Sequence, residues 1–113
     1  MAQPPPGADG AATPGTLVAA GHGRFELSGD VGFADAARLL AEGDTAFASL
    51  ERVEVDLARV ARVDSAGLAL LLEWSLSTRA AGRTIRYQNI PPAVSSLAVI
   101  SEVEELLAPS SGG

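Results

Sequence analysis

The stretch Val53-Glu54-Val55-Asp56-Leu57-Ala58-Arg59-Val60-Ala61-Arg62-Val63-Asp64-Ser65-Ala66-Gly67-Leu68-Ala69-Leu70-Leu71-Leu72-Glu73-Trp74 decides the fold. Its first part alternates, with Val53, Val55 and Leu57 on one side and Glu54 and Asp56 on the other, the period of a half-buried strand. The alternation ends at Asp64-Ser65, where both side-chain oxygens suit the free N–H groups of a first helical turn, so both residues are read as helix caps. The leucines that follow switch to helical spacing. The motif is therefore strand, short loop, helix.

Working outward, residues 16–20 and 24–28 read as two short strands joined by Gly21-His22-Gly23, whose glycines permit a tight hairpin. Ser28-Gly29-Asp30 is expected to end the second strand. Residues 33–42 place Phe33, Ala36, Ala37 and Leu40 at helical spacing, with Gly43 as the expected C-terminal stop. Residues 45–50 read as a connection or a short helical turn through which Phe47 and Leu50 plug the core. The central helix is expected over residues 66–81, with Gly82 in the left-handed position after its end. On a helical wheel Leu68, Leu71, Leu72 and Ser75 fall on one side and Ala66, Leu70, Glu73, Trp74 and Ser77 on or near the other. That helix carries two apolar stripes, and one small sheet buries only one of them.

Residues 84–90 alternate again, with Ile85 and Tyr87 facing one way. Pro91-Pro92 then opens a last helix in which Val94, Leu97 and Ala98 repeat at three and four, continuing into Val103, Leu106 and Leu107. Arg24, Glu26, Glu54, Asp56, Thr84, Arg86 and Gln88 form a polar set on the strands, so one sheet face meets water. The expectation is a two-layer α/β domain with a mixed four- to five-stranded sheet and helices mainly on one face. Residues 1–15, rich in Ala, Pro and Gly, read as a disordered tail; residues 16–108 form the domain, and residues 109–113 a frayed end.

Composition excludes several functions. With 113 residues there is room for one core, and with no cysteine there is no disulfide, thiolate nucleophile or cysteine-held zinc. All eight basic residues are Arg, which removes lysine bases, Schiff bases and the P-loop lysine. A net charge of −6 with scattered arginines is no nucleic-acid footprint. The first 23 residues lack Lys and Arg, so no signal peptide is expected, and the longest apolar run, residues 66–72, is far short of the ~20 needed to span a bilayer. His22, the sole histidine, sits between glycines at a turn, and no catalytic triad, metal cluster or cofactor site can be assembled from Asp30, Asp56, Asp64 and the Glu102-Val103-Glu104-Glu105 run.

Asp64-Ser65-Ala66-Gly67-Leu68, between a V-x-V-D-L strand and a leucine-rich helix, resembles the signature of the STAS domain. Joined with Leu27-Ser28-Gly29-Asp30, Ala37-Arg38-Leu39-Leu40, Asn89-Ile90-Pro91 and Leu97-Ala98-Val99, it is similar to the small, MlaB-like STAS subunit of the Mla phospholipid-transport ABC complex. The resemblance implies a STAS-like fold and a non-catalytic, cytoplasmic subunit that binds and stabilises or regulates an ABC ATPase subunit serving outer-membrane lipid asymmetry. The resemblance further implies that such a subunit meets the inner membrane only through that complex. The alternative within the resemblance is an anti-sigma-factor antagonist, a binding switch controlled by phosphorylation. In such antagonists the phosphoacceptor is the second hydroxyl of a D-S-[ST]-G sequence, and here that place is Ala66; Ser65 is the remaining candidate acceptor. The partner-binding set expected from the free stripe is Ser65, Ala66, Leu70, Glu73, Trp74 and Ser77, with Leu70 and Trp74 as anchors.

Overall fold

The computed structural model describes residues 13–100, with side chains described through residue 96. Four strands, β1 (Thr16–Gly21), β2 (Arg24–Val31), β3 (Arg52–Val63) and β4 (Thr84–Gln88), form one mixed sheet in the order β1-β2-β3-β4. β1 runs antiparallel to β2 through the hairpin, and β2, β3 and β4 run parallel. Parallel neighbours need crossovers, and the helices α1 (Ala36–Phe47) and α2 (Ser65–Ala80) supply them; α3 (Pro92–Ile100) follows β4. Residues 101–113, which hold the expected helical continuation through Val103, Leu106 and Leu107, the glutamate run from Glu102 and the expected frayed end, lie outside the described residues, as do residues 1–12 and the side chains of residues 97–100.

Register explains why one face is dry. Phe25, Val55 and Tyr87 line up across β2, β3 and β4 and are all buried, as is the row Val53–Ile85. The intervening rows are Glu26–Asp56–Gln88 and Arg24–Glu54–Arg86, on the open face, where Arg24 and Glu54 approach to 3.7 Å. β3 gains extra residues against β2 after Asp56, and the Asp56 carboxylate accepts the Ala58 N–H and the Asn89 side-chain N–H there, both at 2.9 Å. These bonds, that from Asn89 first, hold the Asp56 carboxyl below the usual carboxylate range.

Three expectations need correction here. β2 does not stop at Ser28-Gly29-Asp30 but runs to Val31, because β3 also continues past Leu57 to Val63 and keeps pairing with it. α1 begins three residues later than expected and does not stop at Gly43; its buried positions are Leu39, Gly43 and Phe47, while Phe33 lies outside the helix. Gly43 is a seat rather than a stop, since a Cβ there would overlap the Trp74 indole. Thr13–Gly15 are also no tail. The Thr13 carbonyl accepts the Asp30 N–H at 2.9 Å, and Gly15 is clamped between the Asp35 carboxylate and the Arg38 guanidinium, which reaches its carbonyl at 2.7 Å. Backbone bonds order this segment without large apolar side chains.

The core joins sheet and helices through an aromatic chain. Phe25 and Phe47 meet edge to face at 5.0 Å, and Phe47 and Trp74 at 5.3 Å. Arg83 closes the end of this layer by donating to the carbonyl of Phe47, which also accepts the Leu50 N–H at 3.0 Å, and to that of Leu50 in the loop after α1.

Candidate docking site at the start and outer face of α2

Asp64 alone caps α2. Its extended backbone leaves the helix at φ −115°, and Oδ1 accepts the Gly67 N–H at 3.0 Å. Ser65 is the first helical residue, exposed, and makes no cap bond, so the expected sharing of the cap is corrected: once Asp64 occupies the N-cap position, the next residue is already inside the helix. Oδ2 of Asp64 accepts the Phe33 N–H at 3.1 Å from the loop between β2 and α1. One carboxylate thus joins the helix start to a second loop. The Gly67 bond foremost, and the Phe33 bond after it, hold the Asp64 carboxyl below the usual carboxylate range. Gly67 lets the helix start lie directly on β2, because a Cβ there would overlap the Val31 carbonyl.

α2 buries both of the stripes read from its sequence. Leu68, Leu71, Ser75 and Thr78 are buried on one side, while Leu70 and Trp74 are buried on the other, with Trp74 at 0% exposure in the Gly43 notch of α1. The Trp74 Nε1–H donates to the Leu40 carbonyl at 3.4 Å. Leu70 and Trp74 are therefore core residues and not exposed anchors. The expectation failed because α1, rather than a partner, covers the second stripe.

The outward face is a neighbouring one. Ser65, Ala69, Glu73, Leu76 and Ser77 are exposed, and Ala66 and Leu72 are half-buried. Leu76 is 48% exposed and Phe33, beside the helix start, 85%. Of the expected set, Ser65, Ala66, Glu73 and Ser77 share this accessible region; Ser77 also bonds back to the Trp74 carbonyl at 3.4 Å. Phe33, Ala69, Leu72 and Leu76 were missed. Asp35, directly before α1, is the residue type that marks a helix start, and it would have placed Phe33 in the preceding loop.

Among the described residues no three His, Cys, Asp or Glu side chains gather as metal ligands, and no helix is long and apolar enough to cross a membrane. Buried Tyr87 donates to the Leu71 carbonyl at 2.6 Å, and burial pushes its phenol well above the usual range, so it is a structural tether between β4 and α2.

The sequence matches the family model described as "Mlab, STAS domain" over residues 17–108. The chain belongs to the STAS domain family. Among solved structures, this STAS domain is similar to the Bacillus cell fate determinant SpoIIAA in its phosphorylated form, with a TM-score of 0.64 at 15% identity, covering 86% of this chain and 91% of that one. It is similar to the anti-sigma factor antagonist SpoIIAA in its unphosphorylated form, at 0.66 and 16%, covering 86% and 88%. A sulfate transporter family protein from Wolinella succinogenes matches at 0.64 and 20%, covering 82% and 76%. At such identities the likeness is one of fold. No curated protein matches the chain significantly.

Proposed function

We propose that this STAS domain is a non-catalytic subunit that docks through the outer face of α2 on the ATPase subunit of an ABC transporter for phospholipids, and so serves outer-membrane lipid asymmetry. The observation that carries the reading is the exposed apolar surface of Leu76 and Ala69 on the outer face of α2, flanked by half-buried Leu72, together with exposed Phe33 beside the helix start. Exposed apolar surface of this kind marks an interaction site. The family description supports the lipid-transport branch. Docking would stabilise the ATPase arrangement that presents the matching surface, by mass action. ATP, metal and lipid are then held by other subunits, and the domain stays cytoplasmic, at the inner membrane only through its complex.

The alternative is an anti-sigma-factor antagonist. Ser65 is accessible at the helix start, but Ala66 stands where the regulated hydroxyl is expected. Affinity purification of the tagged chain from its own cells, with mass spectrometry, separates the two. Recovery of an ABC ATPase by wild type, and its loss with a folded Leu76→Asp variant, is the expected result. Recovery of a kinase-like anti-sigma factor in its place overturns it.

A further inference from the structure

Phe33 is the most exposed large apolar side chain among the described residues, at 85%, yet its backbone is not free. Its N–H is held by the carboxylate that also caps α2, and the first turn of α1 begins just beyond it, where the Asp35 and Ala36 N–H groups bond to the Gly32 carbonyl at 3.0 and 2.9 Å. An aromatic ring held out into water on a backbone fixed at both ends has already lost much of the conformational freedom that binding removes. The cleft it lines holds three carboxylates, Asp30, Asp35 and Asp64, of which Asp35 is paired with Arg38 at 3.0 Å. Among the described residues one cationic side chain, Arg62, lines the same cleft, so its balance is acidic.

We infer that Phe33 is a preformed aromatic plug for an apolar, basic-rimmed pocket on the partner protein, and that Asp64 is the positioning residue that couples this plug to the docking face of α2. The inference rests on the docking reading above. Its chemistry is complementary: the ring enters the apolar pocket, and Lys or Arg around that pocket face the carboxylates of the rim. Asp64 is suited to the coupling because an ionised carboxylate has two acceptor oxygens, one for each N–H. Asparagine has one. It retains a good N-cap for Gly67 but turns an NH₂ toward the Phe33 N–H, so Asp64→Asn separates the tie from the cap.

Two measurements test it. In the isolated chain, hydrogen exchange of the Phe33 amide should accelerate about tenfold in Asp64→Asn while that of Gly67 stays within about threefold. Equal rates at Phe33 in both chains overturn the tie. With the purified ATPase subunit of the phospholipid-transport complex from the same cells, Phe33→Ala should weaken binding by about 30-fold or more, a hot-spot effect. Asp64→Asn should weaken it about tenfold alone but little in the Phe33→Ala background, since the two act as one unit. Wild-type affinity in Phe33→Ala overturns the plug, and affinity unchanged by added salt overturns the basic rim. No binding by wild type overturns the docking reading itself, and the exchange rates then decide the Asp64 tie alone.

Discussion

Along α2, Leu70 and Trp74 face α1 and are closed off from water, while Ala69 and Leu76 look outward from the same helix and Leu72 lies half-buried at the edge between. Both stripes are apolar, so side-chain type does not separate them. What separates them is the shape of the neighbour. Leu39, Gly43 and Phe47 of α1 form a surface with a notch at its middle, and the largest side chain of α2 fits that notch. Nothing described offers a matching hollow to Leu76. A helix with little amphipathic contrast thus acquires one dry and one open apolar face from the relief of the elements beside it, and the open one is the face proposed here for recognition.

The largest effect that would break this contrast is at Trp74. Trp74→Ala should cost about 3–5 kcal/mol of stability, a cavity in the middle of the aromatic chain, whereas Leu76→Ala should stay within about 0.5 kcal/mol. Chemical denaturation followed by circular dichroism measures both; similar midpoints would mean that the two stripes are not different in kind. Gly43→Ala comes next. The methyl group should raise helix propensity, yet the overlap with the indole should win and destabilise by about 1–3 kcal/mol. A stabilised variant would show the notch to be slack.

The smallest effect sharpens the boundary between the faces at Asp64. Its folded carboxyl titrates below the unfolded value of about 3.9, so its contribution is complete above about pH 5 and fades as pH falls through the lower folded value. Replacing Asp64 by Ala should cost about 1 kcal/mol near neutrality and flatten this acid limb. Denaturation midpoints across pH 2–6 provide the check, and parallel curves for the two chains would remove Asp64 from the acid response.

Much of this fold was legible in the sequence because strand alternation is local: Val53, Val55, Ile85 and Tyr87 point inward as their period requires, and the V-x-V-D-L to D-S-A-G-L transition marks the turn into α2. The site was legible only in part. Ser65, Ala66, Glu73 and Ser77 are accessible as the helical wheel allows, but the fate of Trp74 depends on Gly43, 31 positions away, and a missing side chain leaves no apolar signal. Phe33 was misread for the opposite reason. A large aromatic ring looks like core by composition, yet α1 starts only at Ala36, which leaves Phe33 exposed in the loop before it.

Trp74 is the sole tryptophan of the chain and is fully enclosed. Its emission should therefore be that of an indole in a dry, rigid setting, shifted to shorter wavelength, and should move sharply when the domain opens. A partner on the outer side of α2 would touch no atom of the ring. The protein carries an optical gauge of its own folding that is blind to its binding, so occupancy of the docking face and integrity of the core can be followed in one cuvette as separate signals.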